Sequence, residues 1–147
     1  MATTQPVSIK TIGIIGSGQM GSGIAHVAAM AGYEVRLNDI SAAALEQALK
    51  GIDKNIARQI TKGKATEADK AGAFKRIKTA TAFDFFKEFD VVIEAATERE
   101  EVKREIFKKL IPFLNPDAII ASNTSSISIT RLAATTDRPA HFIGMHF

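Results

Sequence analysis

Ile12-Gly13-Ile14-Ile15-Gly16-Ser17-Gly18-Gln19-Met20-Gly21-Ser22-Gly23 decides the fold of this chain. It opens as an apolar run, the pattern of a buried strand. It then turns through Gly16 and Gly18 and enters a helix near Gln19. The glycines at 16, 18 and 21 have the Gly-x-Gly-x-x-Gly spacing of a dinucleotide-binding turn, and each has a mechanical reason. Gly16 permits the tight turn, Gly18 lets a pyrophosphate approach the backbone, and Gly21 lets the helix pack closely on the strand. The backbone of Gly16, Ser17, Gly18, Gln19, Met20 and Gly21 is therefore a candidate diphosphate cradle. Its free N–H groups and the positive end of the helix dipole face the phosphates.

Three spaced glycines are weak evidence alone, so the flanking pattern matters. Ile24, Val27, Ala28 and Ala31 recur at helical spacing, and Gly32 ends that helix. A second strand, Tyr33 to Asn38, leads to Asp39, about 20 residues beyond the glycines as the fingerprint requires. A carboxylate there accepts hydrogen bonds from ribose hydroxyls and repels a 2′-phosphate, which favours NAD over NADP. The plainer reading of Asp39 is a turn or helix-start acid before Ser41.

The 147 residues suffice for one domain with a substantial core. They contain no cysteine, which excludes disulfides, thiolate metal sites and cysteine nucleophiles within this stretch, and no metal site is expected. Met1 to Ser8 lacks a basic start and an apolar signal core. No apolar run approaches the ~20 residues needed to cross a bilayer. A cytoplasmic protein without a membrane partner is the expectation. The net charge of +3 is too mild to indicate nucleic-acid binding. Its strongest basic feature, Lys50, Lys54, Arg58 and Lys62, reads either as a solvated helix face or as a contact for a polyphosphate group.

Strands and helices alternate along the chain, which predicts a Rossmann-type, doubly wound α/β fold with a mostly parallel sheet. The region from about 41 to 76 is too long for a plain crossover and reads as an inserted helical hairpin. Ser41 caps its first helix, Lys62-Gly63-Lys64 breaks it, and Thr66 with Asp69 opens the second. Asp90 to Ala96 is a buried strand. Thr97-Glu98-Arg99-Glu100 reads as a capping box for a helix to about Leu114, with Val102, Ile106, Leu110 and Phe113 inward. Ala118 to Ala121 is another strand, a helix spans roughly Ile127 to Ala134, and a last strand starts at His141.

Ligands of such sheets sit beyond the carboxyl ends of the strands. The groups expected there are the glycine loop, Asp39, the Ala95-to-Lys103 segment, Asn123 with Ser125, and His146. Taken singly, each has a plainer reading. Asn123, Ser125 and Ser126 serve equally as loop and capping residues. Glu98 and Lys103 suit a charged helix face, and His146 suits a terminal surface position. His26 and His141 read as structural.

Together these motifs resemble the N-terminal domain of L-3-hydroxyacyl-CoA dehydrogenases, including those acting on 3-hydroxybutyryl-CoA. The resemblance rests on Gly16 to Ala25, Ile93-Glu94-Ala95-Ala96-Thr97-Glu98, Ala121-Ser122-Asn123-Thr124-Ser125-Ser126 and Gly144-Met145-His146-Phe147. It implies an NAD-dependent oxidoreductase of fatty-acid metabolism and β-oxidation with an acyl-CoA substrate. Asp39 is implied as the adenosine-ribose ligand, Glu98 and Lys103 as further NAD contacts, and Asn123 as a residue on the nicotinamide side. Ser125 is implied to hydrogen-bond the substrate oxygen and His146 to act as general base. Lys62 matches a lysine that helps hold CoA, while Asn55 stands where some members have a CoA-contacting serine. Residues 1–147 are expected to form the NAD-binding domain, with the family's C-terminal helical domain, its histidine-orienting glutamate and most of its homodimer interface absent. Such a chain is expected to bind NAD and turn over poorly. A different NAD-linked hydroxyacid dehydrogenase and a non-catalytic, crystallin-like protein of the same fold are the alternatives.

Overall fold

The computed structural model describes residues 8–147, so the reading of the first seven residues lies outside it. Its strands are β1 (Thr11–Ile15), β2 (Glu34–Asn38), β3 (Ile77–Ala80), β4 (Val91–Glu94), β5 (Ile119–Ser122) and β6 (Phe142–Gly144). The helices are α1 (Gln19–Met30), α2 (Ala42–Thr61), α3 (Glu67–Arg76), α4 (Glu100–Leu110) and α5 (Ile129–Ala133). The strands form one sheet in the order β3-β2-β1-β4-β5-β6, and every pairing is parallel. The order reverses between β1 and β4, which creates the crevice where doubly wound folds bind ligands.

The strands are apolar because helices cover both faces. Ile14, Val35, Leu37, Val91 and Ile93 pack with Ile24, Leu45, Ile52 and Ile56 on the side of α1, α2 and α3. Ile15, Val92 and Ile120 pack with Phe107, Leu110 and Leu132 on the side of α4 and α5. The inserted hairpin is α2 and α3. Ser41 Oγ accepts from Ala44 N at 3.1 Å. Gly63 takes a positive φ of 71° at the break, where a side chain would be strained. Thr66 and Asp69 close a reciprocal capping box.

The structure corrects several local expectations. Thr97 does not cap α4. The helix starts at Glu100 after Arg99, and Thr97 Oγ1 accepts from Arg99 N at 3.2 Å. Glu100, which a capping box would turn back toward Thr97, instead accepts from Arg131 of α5 at 2.7 Å. A tertiary ion pair has taken the carboxylate that the local motif needed. Phe113 is not inward: it is 42% exposed, whereas Leu114 is buried. The chain tightens at Ile111–Phe113 into a 3-10 turn with Pro112, which shifts the facing by about one residue. Val27 is 62% exposed, so the inward stripe of α1 is narrower than its spacing implied. His141 ends a 3-10 turn, Pro139–His141, before β6 begins.

At the amino ends of the strands, Asp90 ties β4 to β1. Its Oδ2 accepts from Lys10 N at 2.7 Å, Thr11 N at 3.1 Å and Thr11 Oγ1 at 3.2 Å. Burial pushes the Asp90 carboxyl up, but the bonds from Lys10 and Thr11 and the Lys10 charge outweigh it and hold it below the usual carboxylate range. A depressed folded-state pKa adds stability above the unfolded value, about 3.9, and that stability is lost as pH falls through the folded value. Asp90→Asn is expected to cost about 1–2 kcal/mol at pH 7, with the difference from wild type shrinking toward pH 3. Urea unfolding of both proteins across this range measures it.

Candidate functional site

Parallel register aligns the last residues of the strands in one line. Ala80, Asn38, Ile15, Glu94, Ser122 and Gly144 stand side by side across the sheet. The residues that follow this line form the rim of the site: Gly16, Asp39, Ala95 to Glu98, Asn123 to Ser126, and Met145 to His146. The groups expected at the strand ends are thus brought to one edge of the sheet.

The glycine loop is held closely. Gly16 takes φ 100°, and its N donates to Asn38 O at 2.8 Å. A Cβ at Gly16 would meet Ala96 Cα at 2.6 Å, and one at Gly21 would meet Gly16 O at 1.7 Å. Gly18 differs, because a Cβ there would meet no protein atom within 4 Å. Gly18 caps α1 without a side-chain bond, and the first turn of α1 carries no acid. The amide groups at this helix start therefore suit an anion, and the open space at Gly18 suits a diphosphate. Gln19 and Met20 are exposed on this turn, while Ser17 and Gly21 are buried.

Asp39 faces the loop. Its Oδ2 accepts from Ser17 N at 3.0 Å and Ser17 Oγ at 2.8 Å, and its Oδ1 accepts from Ser41 N at 2.9 Å. Burial alone would raise its pKa, but the bonds from Ser41, Ser17 and Ile40 prevail and lower it, so the carboxylate stays ionised. Oδ1, with one of these bonds, keeps acceptor capacity for a sugar hydroxyl, while Oδ2 is taken up by Ser17. A cleft of about 730 Å³ opens from Gly16, Ser17, Gly18 and Asp39 toward Phe83, Thr97 and α4. Ile40, 92% exposed, stands at its edge. Asn38, buried, donates to Ala80 O at 3.0 Å and Ala82 O at 3.1 Å, which fixes the 80–82 wall.

On the far side, Glu98 accepts from Ser126 Oγ at 2.7 Å and Thr124 Oγ1 at 2.9 Å. The Ser126 bond chiefly holds its carboxyl low against the cost of burial, aided by Thr124 and by the charges of Lys103 and His146. Lys103 is fully buried and pairs with the fully buried Glu94. Met145 N donates to Ser122 O at 3.0 Å, and Phe147 N donates to Asn123 Oδ1 at 3.0 Å. The backbone on both sides of His146 is thus pinned to the end of β5, and the imidazole is exposed. Ser125 is exposed on the neighbouring loop. Lys62 lies apart from this rim, exposed just past the end of α2. Lys50, Lys54 and Arg58 are likewise exposed on α2. A second cleft, about 350 Å³, runs between α1 and α2 and is lined by Gly18, Ser22, Gln47, Gly51 and Asn55.

Reading the sequence missed Glu94, Ser122, Asn38, Ile40 and Gln47 as parts of the site. Glu94 left a signal, a carboxylate closing the otherwise apolar run Val91-Val92-Ile93. The others left none, because their roles come from register and from the hairpin folding back over α1.

The model of the 3-hydroxyacyl-CoA dehydrogenase NAD-binding domain matches residues 11–147. The chain belongs to this family. It is 57% identical over 139 residues to a 3-hydroxybutyryl-CoA dehydrogenase of Bradyrhizobium diazoefficiens, covering 95% of this chain and 47% of that protein. It is 43% identical to a 3-hydroxyadipyl-CoA dehydrogenase of Escherichia coli, covering 96% of this chain and 30% of that protein. The crystal structure of (S)-3-hydroxybutyryl-CoA dehydrogenase from Ralstonia eutropha superposes with a TM-score of 0.93 at 51% identity, over 95% of this chain and 50% of that one. The chain therefore spans about half the length of the 3-hydroxybutyryl-CoA dehydrogenases it matches, and the matching family model is that of the NAD-binding domain.

In this dehydrogenase domain the glycines separate into structural and ligand-facing positions. Gly21→Ala is expected to destabilise the fold by at least about 3 kcal/mol, since its Cβ would overlap backbone. Gly18→Ala is expected to melt within a few degrees of wild type yet bind NADH at least tenfold more weakly. Thermal melts paired with NADH titrations separate the two.

Proposed function

We propose that this domain serves the oxidation of an L-3-hydroxyacyl-CoA thioester to the 3-oxoacyl-CoA. The pinning of the His146 backbone to Asn123 and Ser122, beside Ser125 and Glu98 on the same rim as the glycine loop, supports this reading best. NAD, held by the glycine loop and Asp39, would supply the acceptor for a hydride from C3 of the substrate. His146 takes the proton of the 3-hydroxyl, a role for which histidine is the side chain most often used. Ser125 donates a hydrogen bond to the same oxygen and holds it in line. Asp39 receives the adenosine ribose, Glu98 flanks the cofactor, and Asn123 faces the nicotinamide side, while Lys103, expected as a second cofactor contact, is instead buried on Glu94 and has no surface to offer a ligand. Lys62 meets a phosphate of CoA.

A four-carbon acyl group is the substrate we favour, because several relatives are named for 3-hydroxybutyryl-CoA. β-Oxidation or a related branch of fatty-acid metabolism in the cytoplasm, and a homodimeric whole enzyme, complete the reading. Among the described residues no helix is long and apolar enough to cross a membrane.

A fluorescence titration with NADH, with NADPH alongside, tests the cofactor half of this reading. Saturable binding of NADH, at least tenfold tighter than NADPH, is expected. Asp39→Ser should weaken NADH about tenfold and narrow that preference, because the charge opposing a 2′-phosphate is gone. Failure of the wild-type domain to bind either nucleotide would overturn the proposal. Acetoacetyl-CoA-dependent oxidation of NADH is expected to be slow or absent for these 147 residues alone; rapid turnover would refute that expectation.

A further inference from the structure

We infer that Glu94, paired with Lys103, is a positioning residue that sets the spacing between the glycine loop and the Glu98–Asn123 rim; this rests on the NAD-binding reading above. Glu94 closes a strand whose residues are all buried, and it is itself fully buried. A carboxylate in such a place is costly to bury unless its oxygens are paired and hydrogen-bonded, and an apolar pair of similar size would be about as stable. The directions of its bonds give it a use that an apolar pair would not have.

Those bonds reach three separate parts of the site. Oε1 accepts from Lys103 Nζ of α4 and from Ser122 Oγ at the end of β5. Oε2 accepts from Ala96 N in the loop after β4, at 2.8 Å. The backbone repeats the link, with Asn123 N donating to Glu94 O at 2.8 Å. Ala96 is the residue against which Gly16 packs. Glu98 follows two residues later, and Asn123 holds the backbone beyond His146. One side chain thus references the diphosphate loop, the Glu98 loop and the histidine strand to a common point. The Lys103 ammonium supplies the opposite charge beside the carboxylate.

A double-mutant cycle on the 147-residue chain tests this, using Glu94→Gln, Lys103→Met and the two combined. Glutamine keeps the shape and the Ala96 bond but turns an amide N–H against a buried ammonium. Glu94→Gln is expected to weaken NADH about tenfold. The double variant is expected to bind no more weakly than Lys103→Met alone, because the two residues act as one unit. Amide resonances of Gly16, Ala96 and Asn123 should move in Glu94→Gln while its unfolding stays cooperative; mere loss of stability would leave them in place.

If Glu94→Gln does not fold, the comparison of Lys103→Met with the double variant still decides the matter. Wild-type affinity in a folded Glu94→Gln, unmoved amides, or a further tenfold loss in the double variant would each overturn the inference. Absence of NADH binding by wild type would instead refute the reading on which it rests.

Discussion

The contact between the Gly21 Cα and the Gly16 carbonyl sets the rest of the site. No side chain fits between them. This brings α1 down onto the end of β1 and aims its uncapped amino end at the crevice between β1 and β4. From that constraint follow the open amides at Gly18, the approach of Asp39 to Ser17, and the packing of Gly16 against Ala96. The helix start is left without a side-chain cap, a local loss of stability compensated when an anion occupies it.

The parallel sheet turns this single contact into a site. Strands of similar length end on one line, so each short loop delivers its first polar residue to the same rim. The two sides of the rim are built differently. Around β1 and β2 the polar groups are neutral side chains and one partly open carboxylate, with Asp39 bonded to Ser17 and Asn38 to Ala80 and Ala82. Around β4 and β5 the polar groups include a fully buried ion pair, and their bonds join elements distant in sequence, such as Glu94 with Ser122 and Glu98 with Ser126.

Family membership and fold are legible in the residues themselves, and the comparisons agree with them. The hairpin of α2 and α3 was readable because its caps are local: Ser41, Gly63 and Thr66 with Asp69 each act within a few residues. The Thr97 capping box was misread for the opposite reason. Its sequence is correct, but Arg131, distant along the chain, attracts the Glu100 carboxylate more strongly than a backbone N–H does. Phe113 was misplaced because spacing assumes an unbroken α-helix, and Pro112 with a 3-10 turn changes the period.

What the sequence by itself determined is the set of strands and helices, the diphosphate loop, the acid at Asp39 and the candidates Asn123, Ser125 and His146. These depend on local backbone freedom, periodic burial and motif spacing, all of which are written in consecutive residues. What only the tertiary structure decided is how those candidates are held. It placed Lys103 inside the protein on Glu94, bound Phe147 to Asn123, and separated Gly18, which faces open space, from Gly16 and Gly21, which face backbone. Such outcomes depend on which strands lie side by side and in what register, and that is fixed by the packing of the whole sheet rather than by any one stretch of chain.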